Sequence, residues 1–74
     1  AVVDFVTVLV EQGELIERLQ PERTQEAHAL YRRAGAVVEH VAALFGDPRK
    51  RERYLARPSI ARVLQAAEQA NTQR

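Results

Sequence analysis

The pattern of apolar and polar positions after residue 20 predicts one long amphipathic helix in the centre of the chain. Apolar or small residues recur there at steps of three and four, which places them on one face of a helix with 3.6 residues per turn. Charged side chains occupy the opposite face, so we expect one face in the core and one in water. The apolar face consists of Ala27, Leu30, Tyr31, Ala34, Val37, Val38, Val41, Ala42 and Phe45.

Residue types at both ends of this pattern predict its boundaries. Thr24 is a suitable N-cap, although Pro21 fits a first turn and could start the helix earlier. Gly46 stands where a left-handed residue often ends a helix, and Asp47-Pro48 is a cap and first-turn pair that begins the next one. The segment around Gly46 is therefore predicted to be a corner between two helices.

The first twenty residues allow two interpretations. Their many β-branched side chains favour a strand, whereas the polar residues Asp4, Thr7 and Glu11 are spaced as on one stripe of a helix. We interpret the segment as a helix whose apolar arc covers more than half of its circumference and needs partners on two sides. Gly13 in this helix is expected to mark a bend or a break.

The remaining chain predicts two shorter helices. A short basic segment follows Pro48, Pro58 ends it, and a last amphipathic segment precedes a polar tail from Glu68 that we expect to fray. Gly35 is either a mild defect or a close approach of another helix. The prediction is an all-α fold, a small antiparallel helical bundle with helices at about 2–19, 22–45, 48–56 and 59–70.

Length and composition limit the class of protein. The 74 residues form a single helical domain, 1–74, or a fragment of a larger array, and the start at Ala1 suggests a processed chain or an excised piece. The sequence contains no run of about twenty apolar residues, so we predict no membrane span. Without a signal or transit pattern, we expect a cytoplasmic location. No cysteine is available for disulfides or thiolate metal sites.

Candidate catalytic chemistry is sparse. His28 and His40 are twelve residues apart, too far along one helix to bind one ion together, and we expect both to be solvated or to face a partner. Ser59 follows a proline without a nucleophile motif, and no glycine-rich phosphate loop occurs. We therefore predict no enzyme activity, no metal and no cofactor.

Charge is distributed unevenly along the chain. Residues 1–46 carry seven acids against four bases, and residues 47–74 carry three acids against seven bases. The basic run is either a solvated helix surface or a contact for nucleic-acid phosphates, which is the alternative function. Its candidate anion-binding residues are Arg49, Lys50, Arg51, Arg53 and Arg57.

The stretch from Glu26 through Tyr31 and Asp47-Pro48 to Leu64 resembles the last helical repeat of tetratricopeptide arrays at the C-terminal end of large bacterial signalling ATPases and regulators. The likeness covers about residues 24–66, with Ala27, Tyr31 and Ala34 at the small and aromatic positions of a repeat's second helix. The resemblance implies a tetratricopeptide-like helical hairpin that ends a solenoid, with a scaffolding or sensing role and with any ATPase chemistry elsewhere in a longer chain.

Together, the wide apolar arc and the small size predict a protein-interaction or oligomerisation module. The predicted contact face is Val2, Phe5, Val6 and Leu9. The expected partner is a protein, either a second copy or a neighbouring repeat.

Overall fold

The computed structural model describes the backbone of residues 2–72 and the side chains of residues 5–72. This part of the chain forms four α-helices, and it contains no strand. The all-α prediction is therefore confirmed, and the N-terminal segment is a helix. The helices are α1 (Val2–Leu19), α2 (Thr24–Ala43), α3 (Pro48–Ala56) and α4 (Pro58–Thr72), with a 3-10 turn at Pro21–Arg23.

Helix α2 is the centre of the packing, because both α1 and α4 lie along it. α1 and α4 also contact each other, and the short α3 lies beside α2 and α4. Side chains from all four helices form one buried cluster, in which Val6, Val38 and Ile60 are fully buried. The other buried members are Leu9, Val10, Ala27, Tyr31, Ala34, Ala42, Tyr54, Val63 and Ala70.

Two glycines allow this close packing. A Cβ on Gly13 would lie 2.5 Å from Cε1 of Tyr31, and a Cβ on Gly35 would lie 2.6 Å from Cβ of Ala67. α1 is continuous through Gly13, so the expected bend or break is wrong; the glycine makes room for the Tyr31 ring. Of the two interpretations of Gly35, the structure supports the close approach of another helix, α4.

The start of α2 differs from the prediction. The chain first makes a 3-10 turn at Pro21, and the Thr24 hydroxyl donates to the Pro21 carbonyl at 2.6 Å. Thr24 is thus the first residue of α2 and does not cap it.

The corner between α2 and α3 is only partly as expected. Gly46 does not have a positive φ, so the expected left-handed end is wrong. Instead, the Arg51 guanidinium donates to the carbonyl oxygens of Ala42 at 3.3 Å and Phe45 at 3.1 Å. The Ala42 carbonyl also accepts from the Phe45 amide at 3.2 Å, a tightened last turn in place of a regular helical bond. The predicted cap is confirmed at Asp47, whose carboxylate accepts from the Arg49 amide at 2.9 Å.

The last helix is longer than expected. α4 continues to Thr72, and Ala67 and Ala70 are both buried. The expectation that the tail frays from Glu68 is therefore wrong for residues 68–72. Residues 73–74 lie outside the described part.

Candidate functional site

A line of exposed side chains along α1 is the most extended apolar surface in the described part of the chain. Phe5, Val8 and Leu15 are 46–47% exposed and Leu19 is 67% exposed, with the exposed Gln12 between them. We call these five residues the α1 stripe. The one other large exposed apolar side chain among the described residues, Leu44, lies away from it at the end of α2.

The spacing of the α1 stripe places its members in one narrow band. Successive members are three, four, three and four residues apart. At about 100° per residue they fall within roughly 80° of the helix circumference. This spacing is the pattern by which one helix packs along another. The band is about 21 Å long, from fourteen residues at about 1.5 Å each.

The opposite side of α1 lies in the core. Val6 and Val10 are fully buried, and Leu9 is 6% exposed. Of the predicted contact residues, Phe5 is at the surface, whereas Val6 and Leu9 pack inside the chain itself. This corrects their assignment to an exposed face: α2 and α4 cover that half of the arc. The side chain of Val2 lies outside the described residues.

Charged side chains border the α1 stripe on both sides. Glu11 and Arg18 are exposed and share the side that faces α4, where Glu14 also forms an ion pair with Arg62. On the side towards α2, the Arg33 guanidinium lies 6.0 Å from the centre of the Phe5 ring. A polar border around an apolar centre is the usual anatomy of a protein-binding surface.

The five residues of the predicted basic cluster are all exposed, and two of them also have contacts within the chain. The Arg51 guanidinium binds the carbonyls at the end of α2, and the Arg57 guanidinium lies 5.9 Å from the centre of the Tyr54 ring. Arg49, Lys50 and Arg53 remain exposed on α3. Two of the five basic groups thus have contacts with neutral groups of the chain, which leaves fewer free guanidinium donors for an anionic partner.

Three side chains with polar groups, His28, Tyr31 and Tyr54, are buried in the described part of the chain. His28 is 9% exposed and its ring centre lies 6.2 Å from that of Tyr31, so the expectation of a solvated or partner-facing side chain is wrong for His28. The Tyr31 hydroxyl donates to the Glu17 carboxylate, and burial followed by this hydrogen bond raises the pKa of Tyr31. The Tyr54 hydroxyl is buried without a hydrogen-bond partner among the described residues.

Surface depressions offer little catalytic chemistry. One lies between α2 and α4 over the small residues Gly35 and Ala67, with Arg32, Glu39 and Glu68 at its edges. No three potential metal-ligating side chains cluster within the described part. The exposed His40 stays on the solvent side of α2.

Comparisons with known proteins give no match: neither a protein-family model, nor a curated protein, nor a solved structure is significantly similar to this chain. Within the described residues, every helix falls short of the length and apolar character needed to cross a membrane.

Sequence reasoning identified the over-wide apolar arc of α1 and included the exposed Phe5, but it also selected Val6 and Leu9, which are buried. Val8, Leu15 and Leu19 were missed as surface residues. Their spacing of four and seven residues, with Gln12 in the same band, was the available signal, because a polar residue within an apolar band argues against a core position.

Proposed function

We propose that this chain is a non-catalytic protein-interaction module that binds its partner through the α1 stripe. The observation that carries the proposal is four large apolar side chains, each about half exposed or more, in one band on a helix whose other side is already packed. Leaving such a band in water is unfavourable, and contiguous apolar patches on small proteins often mark binding sites.

The order of packing supports a repeat-like role. α1 and α4 both lie on α2, so a further helix placed on the α1 stripe would extend the same stack. We therefore keep the tetratricopeptide-like end-piece of a larger bacterial signalling protein as part of the proposal, together with a cytoplasmic location. Both rest on the sequence resemblance and the sequence expectations.

Site-specific photo-crosslinking in the cell that makes the protein tests the proposal. A photoreactive amino acid replaces Leu15, in the middle of the α1 stripe, and in a matched control it replaces the exposed Gln65 on α4. If the α1 stripe is a binding surface, crosslinked protein adducts form at position 15 and are much weaker at position 65.

The mass of the adduct identifies the type of partner. An adduct of twice the chain mass indicates self-association, and any other discrete mass indicates a different protein. Equal crosslinking at the two positions, or none at position 15, would contradict the proposed function.

A further inference from the structure

We infer that the partner of the α1 stripe is a second copy of this chain. The two α1 helices lie antiparallel, and the two-fold axis that relates them passes midway between Gln12 and Leu15. This inference rests on the proposed function, because it names the occupant of the same surface. It is carried by the spacing of the α1 stripe and by the charges beside it.

The last four members of the α1 stripe have the same spacing in both directions. Val8, Gln12, Leu15 and Leu19 are separated by four, three and four residues. An antiparallel copy therefore presents an identical set of side chains at matching heights, with Val8 beside Leu19 of the second copy and Gln12 beside its Leu15. A two-fold interface requires a surface that is complementary to itself in this way.

The charges beside the α1 stripe favour the antiparallel direction. Glu11 and Arg18 lie seven residues apart on the same side of the helix, and both are exposed. In an antiparallel pair this side meets the same side of the other copy, so each Glu11 lies near the other copy's Arg18. In a parallel pair, the side with Glu11 and Arg18 would instead meet the other side of the second α1. On that side Leu9 and Ile16 pack towards the core of their own chain. Only the antiparallel pair brings opposite charges together.

The size of the α1 stripe predicts a weak pair. A standard stable interface buries about 800 Å² on each partner, which is roughly a seventh of this chain's 5355 Å² accessible surface. Four partly exposed side chains over about 21 Å supply less than that. We therefore expect reversible dimerisation in the micromolar to millimolar range rather than a permanent dimer.

Analytical ultracentrifugation over about 1 µM to 1 mM tests the association. The expected result is a shift from monomer to dimer with rising concentration. The Leu15→Glu variant should weaken dimerisation at least tenfold, whereas the Gln65→Glu variant, with the same added charge on α4, should not. Circular dichroism of both variants at low concentration verifies that each is folded.

Cysteine crosslinking tests the direction, because the native chain has no cysteine. Two variants, Val8→Cys and Leu19→Cys, are prepared separately. Each is incubated with oxidised glutathione alone, and the two are also incubated with it as a mixture. In the antiparallel pair, like positions are about 16 Å apart along the helix, too far for a disulfide. The mixture should therefore give the crosslinked dimer, and each variant alone should not.

Two outcomes overturn the inference. One is a monomer at every concentration, and the other is efficient crosslinking of each variant alone, which a parallel pair would give. If the chain is monomeric but photo-crosslinking at position 15 captures a different protein, the proposed function stands and only the second copy is rejected.

Discussion

The contact between Gly35 and Ala67 gives the sharpest prediction about stability. In the Gly35→Ala variant the new Cβ would lie 2.6 Å from Cβ of Ala67, whereas carbon atoms in contact prefer about 3.5–4.0 Å. Both atoms are attached directly to helix backbones, so no flexible side chain can move away. α2 and α4 must separate by about 1 Å.

Two opposing effects determine the magnitude. Forcing an additional methyl group into a packed core costs about 1–3 kcal/mol, and replacing glycine by alanine within a helix contributes about 1 kcal/mol in the favourable direction. We expect a net loss of about 1 kcal/mol in the free energy of unfolding. For a domain of this size that loss lowers the melting temperature by about 4–8 °C.

A double-mutant cycle with Ala67→Gly isolates the contact. Ala67→Gly removes the methyl group that Gly35→Ala would meet, so Gly35→Ala should stabilise this background by about 1 kcal/mol through helix preference alone. The coupling between the two substitutions should be about 1–3 kcal/mol. Urea unfolding followed by far-UV circular dichroism measures all four free energies.

Gly46→Ala is the control, because a Cβ there meets no atom within 4 Å. It should change the free energy of unfolding by less than about 1 kcal/mol. If Gly35→Ala has the same effect with alanine or with glycine at position 67, the two helices do not meet at these residues.

Three further predictions concern the tyrosines and the basic residues. Tyr54→Phe removes a buried hydroxyl that has no partner among the described residues, so it should raise the free energy of unfolding by about 1 kcal/mol in urea titrations; a loss would indicate that the hydroxyl is hydrogen-bonded. The pKa of Tyr31 is raised in the folded chain, so its contribution to stability is complete below about pH 10, the ordinary tyrosine pKa, and is lost as the pH rises towards the folded value. Unfolding at about pH 8 and pH 11 should show this loss, and Tyr31→Phe should reduce it; an equal loss in both proteins would contradict the assignment. With Arg51 engaged within the chain, titration with duplex DNA at two salt concentrations should show only weak binding that disappears at the higher salt; tight binding abolished by Arg49→Ala and Arg53→Ala would instead support a nucleic-acid role.

Much of the fold follows from local patterns. The bounds of α1 and α3 match the prediction, because the residues that end these helices, notably Pro21 and Pro58, act through local backbone geometry. The end of α2 was harder to predict. It depends on Arg51, a side chain of the next helix, and no rule on the helix's own residues includes that contact.

The candidate site was only half predictable for a similar reason. The width of the apolar arc on α1 is a local property, and it correctly indicated more apolar surface than one neighbour could cover. Which half stays exposed depends on where α2 and α4 cross α1, and α2 crosses it with the Tyr31 ring against Gly13. Val6 and Phe5 are adjacent in sequence, yet one is fully buried and the other is about half exposed.

Helix α3 is attached to the other helices by few contacts, and this affects where the chain tolerates cleavage and insertions. Of its nine residues only Tyr54 is buried, and the ring of Phe45 and the carbonyls bound by Arg51 hold it against the end of α2. We therefore expect α3 to detach more readily than α1, α2 and α4. Proteolytic cleavage and natural insertions should consequently concentrate around this short helix.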